Sequence, residues 1–137
     1  MSIVTEMRAD RREEGKVEYE RWETVDGGLI EQIVGRMDQR RHTETTLRGE
    51  DWWFVLLGGG AGSFVVSVEN QMTGVRYQLI NPHPQSSVPS EVVTGGQLGR
   101  FDPSLVVSSE DAVRAARHFA STGRPDPELR WIEEQSD

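Results

Sequence analysis

The sequence predicts an α+β fold, an antiparallel meander sheet packed against two helices. Three short segments between 51 and 79 alternate apolar and polar residues and are joined by glycine-containing turns. Two further segments carry apolar residues at helical spacing, one near 28–40 and one near 110–120. A chain of 137 residues supports one such core and leaves little for a second.

Residues 1–15 are polar and charged and read as a flexible N-terminus, with a single domain over 16–137. Val17 and Tyr19 alternate with charged neighbours, as in a short half-buried strand, before Asp26-Gly27-Gly28 punctuates the chain. Leu29, Ile30, Ile33, Val34 and Met37 then lie opposite Glu31, Gln32, Arg36 and Gln39. That stripe predicts an amphipathic helix over 28–40, weakened by Gly35. Residues 41–51 are polar and read as a loop.

The strongest strand signal runs from Asp51 to Leu57. Alternation puts Trp52, Phe54 and Leu56 on one face and Trp53, Val55 and Leu57 on the other, so the strand is central or covered on both sides. Gly58-Gly59-Gly60-Ala61-Gly62 turns the chain into Phe64, Val66 and Val68. A second turn at 70–74 leads to Val75, Tyr77 and Leu79. Residues 81–104 are rich in Pro, Ser and Gly, with short strands expected at 91–94 and 105–107. A loop of that length is either functional or mobile. Ser108 begins the last helix as a cap with Asp111 three residues on; Ala112, Val113, Ala116, Phe119 and Ala120 form its buried stripe. Gly123 is its C-terminal cap and Pro125 prevents continuation. Leu129 and Trp131 return as core plugs ahead of the acidic Glu133, Glu134 and Asp137.

Charge narrows the function. Fifteen basic residues face 23 acidic ones, for a net charge of −8 and a pI near 4.9. Such a field repels nucleic acid, phosphorylated ligands and anionic membranes and attracts basic proteins. The longest basic runs are only Arg11-Arg12 and Arg40-Arg41. The absence of cysteine removes disulfides, thiolate nucleophiles and cysteine metal sites. No apolar signal opens the sequence and the apolar run at 52–57 is too short for a bilayer, so a cytoplasmic location is expected.

The residues offer catalysis little. His42, His83 and His118 stand apart, without a metal-binding pair, and the serines at 86, 87, 108 and 109 lie in no nucleophile elbow. The Gly58 to Gly62 run lacks the Lys-Ser/Thr of a phosphate loop and precedes a strand, so a hairpin turn explains it. No catalytic residue, cofactor or metal is expected. Surface recognition remains, on the meander's second face of Ser63, Val65, Ser67, Glu69, Arg76, Gln78 and Ile80. If helices cover one side only, either Trp52 or Trp53 is exposed beside that face as a binding anchor. Glu50, Asp51, Glu69, Glu91 and Asp102 supply negative charge for a basic partner if they converge.

The strand ending in Gly58-Gly59-Gly60, the segment Gly74-Val75-Arg76-Tyr77, and the helix from Glu110 to Ala120 running through Ser121-Thr122-Gly123-Arg124-Pro125 to Trp131 together resemble an immunity-protein family. The family belongs to bacterial polymorphic-toxin systems and is associated with deaminase-fold toxins; the resemblance spans roughly 16–132. It implies a non-enzymatic inhibitor that blocks the active site or substrate groove of a cognate, basic toxin. On this reading Trp53, Glu69, Arg76, Glu91 and Asp102 contact the toxin. Gly59, Gly123, Pro125 and Trp131 serve the fold, and Arg124 serves either an ion pair or the interface. Two other functions share these features: a regulatory or adaptor domain binding another cellular protein, and a small-molecule-binding domain with a pocket lined by Tyr77, His83 or Arg76.

Overall fold

The computed structural model describes residues 4–60, 63–84 and 87–134. Ala61 and Gly62 of the glycine run, Ser86, and Asp137 of the acidic end lie outside the described residues, as do positions 1–3. The elements in chain order are β1 (Glu6–Glu13), β2 (Lys16–Trp22), α1 (Gly27–Arg36), β3 (Glu44–Arg48), β4 (Trp52–Gly58), β5 (Phe64–Asn70), β6 (Arg76–Leu79), β7 (Ser90–Thr94), β8 (Gln97–Phe101), α2 (Ser109–Thr122) and β9 (Trp131–Glu133). Seven strands form one antiparallel sheet in the order β2-β1-β3-β4-β5-β6-β9, while β7 and β8 pair as a separate hairpin. The α+β class and the β4-β5-β6 meander hold.

The N-terminal expectation does not hold for residues 6–13. They form β1, which lies inside the sheet between β2 and β3. Met7 and Ala9 are buried on one face while Glu6 and Arg8 occupy the other, a period of two that dense charge hides in the sequence. Asp10, fully buried, accepts hydrogen bonds from the Thr43 amide (2.7 Å), the Thr43 hydroxyl (2.6 Å) and the Glu44 amide (3.0 Å), and Arg12 Nε lies at 2.7 Å. Those partners compensate the cost of taking a carboxylate out of water. They also anchor β3, which occupies 44–48 where a loop was expected. Thr45 and Leu47 face the core there, and threonine at one of two inward positions weakens the hydrophobic signal.

One face of the sheet is covered by the two helices. Phe54 of β4 meets Phe119 of α2 with ring centroids 5.3 Å apart, in a core that also takes Ile30, Ile33, Leu56 and Val66. Asp26 caps α1 by accepting from the Leu29 amide (2.8 Å). The helix stops at Arg36, short of residue 40, because Met37 turns extended and Gln39 takes a left-handed φ of 62°. Gly59 lies against this break: at its φ of +130° an added Cβ would sit 2.4 Å from the Met37 carbonyl carbon. Ser108 caps α2 by accepting from the Asp111 amide (3.2 Å), and Gly123 closes it at φ 72° with its N–H donating to Phe119 O (2.7 Å).

Beyond Pro125 the chain returns as β9, which pairs with β6. Leu129 and Trp131, both part-buried, pack against the core as expected, and Trp131 Nε1 donates to Asp126 O (2.9 Å). The long 81–104 segment contains β7 as expected and also β8. At 105–107 a single bridge, Phe64 to Val107, replaces the expected strand. Among the described residues no helix is long and apolar enough to cross a membrane.

Candidate functional site

The face of the sheet away from the helices carries the second half of β4. Trp52 packs on the helix side against Tyr77, ring centroids 6.1 Å apart, while Trp53 on the opposite side stays 38% exposed. Trp53 is therefore the exposed member of the pair.

Strand register lays a row of side chains across this open face. Glu6 pairs with Arg48, Arg48 with Trp53, Trp53 with Glu69, and Glu69 with Arg76. Arg76 closes the row on Glu134, Nε to Oε2 at 3.2 Å, and the Arg48 guanidinium lies over the Trp53 ring at 4.4 Å. The structure thus brings Trp53, Glu69 and Arg76 together. Glu50 and Asp51 are exposed in the turn joining Arg48 to Trp52, at the same end of the sheet.

Glu91 and Asp102 do not join that row. Glu91 lies on the separate hairpin, paired with Arg100 at 4.0 Å. Asp102 caps a short 3-10 turn. It accepts from the Ser104 amide (2.9 Å) and hydroxyl (2.7 Å), which hold its carboxyl below the usual range. Part of the meander's second face is also closed. Val65 and Ser67 are buried, and Val65 and Val92 lie apart from the main core where β7 packs against β4.

Next to the row is a groove of about 360 Å³ whose apolar walls are Tyr19, Trp53 and Val55, with Arg8, Arg48 and Glu44 around them. Glu6 engages Arg8 and also accepts from Arg21 (3.0 Å), so two cations on this face have a local counter-charge. Glu44 has no ion pair among the described residues. Burial raises its pKa and the nearby Asp10 adds to the rise, against an opposing pull from Arg12. A part-buried carboxylate with a raised pKa at one end and an exposed tryptophan at the other mark this groove above the rest of the surface.

Sequence reasoning missed Glu44 and Tyr19. Glu44 falls in the expected loop, and the alternation at Val17 and Tyr19 predicts a half-buried strand, whereas both side chains are exposed, 44% and 52%, on the face of the edge strand β2 that the helices do not cover. The two-residue turn Glu14-Gly15 is the available hairpin signal, and the resulting register pairs Asp10 with Tyr19.

The histidines remain apart. His42 bonds Asp10 O through Nδ1 (3.0 Å), His118 lies 3.9 Å from an Asp126 carboxylate already met by Arg114, and His83 is exposed in a turn. Among the described residues no group of three side chains is arranged to hold a metal. The pocket that a small-molecule function would need does not combine Tyr77 with Arg76, because these consecutive residues face opposite sides of the sheet.

No protein-family model matches the chain, and no curated protein is similar to it.

Proposed function

We propose that this protein is a non-enzymatic immunity protein that binds a cognate toxin domain and blocks its active site or substrate surface. The observation that carries the reading is Trp53, exposed at one end of an apolar groove on the open sheet face, with Glu44, which has no ion pair among the described residues, at the other end of that groove. An exposed tryptophan flanked by polar groups is the kind of residue on which protein interfaces concentrate their energy. Such a groove accepts the aliphatic stem of a partner lysine or arginine, with the cationic head on Glu44.

Glu69, Glu50 and Asp51 extend negative charge along that end of the sheet, and the net charge of −8 steers a cationic partner towards it. The toxin class follows from the family resemblance and from charge. A nucleic-acid-modifying enzyme of the deaminase type offers a basic substrate surface, which an acidic inhibitor competes for. Inhibition takes place in the cytoplasm, where such a toxin meets its substrate.

The test is protection. If a deaminase-type toxin domain is encoded by the adjacent gene, co-expression of this protein with it should rescue growth, and the two should co-purify. Trp53→Ala should keep the wild-type circular dichroism spectrum and weaken the complex by about 30-fold or more. Failure of the wild-type protein to protect, or unchanged affinity in the variant, removes the proposal.

A further inference from the structure

Arg12 and Arg41, 29 positions apart in sequence, meet in space. Arg12 of β1 donates its backbone N–H to Arg41 O at 2.8 Å, so the β1-β2 hairpin and the 38–42 loop form opposite walls of one cleft. It measures about 840 Å³, and its charged lining comprises Arg12, Lys16, Arg40 and Arg41 against Glu13 and Glu14. This cleft is at the far end of β2 from Trp22, is separate from the Trp53 groove, and is positively lined on a chain of net charge −8.

The cations are held in different ways. Arg12 lies against the buried Asp10, and Arg41 Nη1 reaches Glu13 at 3.7 Å. Lys16 and Arg40 have no carboxylate partner among the described residues. The wall that carries Arg40 and Arg41 is rigid. Asp38 Oδ1 accepts from the amides of Arg40 (2.9 Å), Arg41 (2.9 Å) and His42 (3.1 Å). Gln39, at φ 62°, ties the loop to Gly59 O (2.9 Å) and to the Val93 amide (2.7 Å). A non-glycine residue in the left-handed region, held by that many bonds, gives a preorganised wall rather than a loose loop.

We infer that this cleft is an anion site for a phosphate-bearing ligand. Guanidinium forks from two directions and an ammonium suit a tetrahedral phosphoryl group, which offers three oxygens and up to two charges; a carboxylate offers two oxygens in a plane and one charge. The lining contains no aromatic ring, only Val17 and Val93 as apolar groups, so recognition is of phosphate and not of a stacked base. The global negative charge does not forbid this. At physiological ionic strength the screening length is about 8 Å, so a bound anion senses mainly the lining groups.

Lys16 is the only lysine in the sequence, which makes the cleft addressable. Calorimetric titration of the full chain with tripolyphosphate should show saturable one-to-one binding. It should weaken by at least ~10-fold in the exposed double variant K16A/R40A and stay unchanged in R130A, an exposed arginine just before β9. The same ligand should slow acetylation of Lys16, read by mass spectrometry, several-fold. Thermal melts of the variants establish that they fold. Absence of saturable binding to the wild type, or equal binding by K16A/R40A, overturns the site. A polyglutamate peptide binding as tightly as tripolyphosphate overturns the ligand class. Each readout is independent of the Trp53 face.

Discussion

The two faces of strand β4 have nearly the same composition and opposite fates. Phe54 and Leu56 are 1% and 0% exposed beneath the helices, whereas Trp53 keeps 38% of its surface. Apolar character therefore does not by itself predict burial here. Coverage does, and coverage is set by where the two helices return to the sheet. On the helix side an aromatic ring stabilises the fold. On the open side the same kind of ring leaves part of its hydrophobic free energy available to a partner.

The largest effect that sharpens this contrast is Phe119→Ala. Its ring is fully buried against Phe54, so urea unfolding should show a loss of about 3–5 kcal/mol. A loss under 1 kcal/mol would mean that the helix face is not the core. Trp131→Ala comes next at about 2–3 kcal/mol, since the indole is half-buried and loses its bond to Asp126 O. A near-wild-type melting curve would show β9 to be dispensable.

Trp53→Ala should separate the faces most clearly. It should cost under about 1 kcal/mol of stability, chiefly the Arg48 contact, while producing the large affinity loss proposed above. A stability loss as large as that of Phe119→Ala would erase the distinction between faces.

The smallest effect is Glu44→Gln. Its pKa is raised above the ordinary 4.5 in the folded state, so its stabilising contribution is complete below 4.5 and is lost as pH rises through the raised value. The amide should therefore stabilise the protein near neutrality, by no more than about 0.5 kcal/mol because the group is part-exposed and screened. It should also flatten the stability profile just above pH 4.5 and weaken partner binding. Destabilisation by the amide at neutral pH would contradict the assigned environment.

Legibility in the sequence followed local signal strength. The meander, both helices and the caps at Ser108 and Gly123 were readable because each is written within a few neighbouring residues. β1 and β3 were not, because their inward positions hold Met7, Ala9, Thr45 and Leu47 among charged residues, and their stability comes from strands distant in sequence. The row of Trp53, Glu69 and Arg76 was half legible. The turns between β4, β5 and β6 determine its register, yet nothing local reveals that Glu91 belongs to another sheet.

By itself the sequence determined the fold class, the net negative charge, the absence of cysteine chemistry and the alternation that puts the two tryptophans on opposite faces. Only the tertiary structure decided which tryptophan is left open, that Glu44 lines the same groove, and that Arg11-Arg12 and Arg40-Arg41 sit at one end of the molecule. The physical reason is range. Periodicity and capping are short-range properties of the chain, whereas exposure and charge proximity depend on which distant strands pair and which face the helices cover.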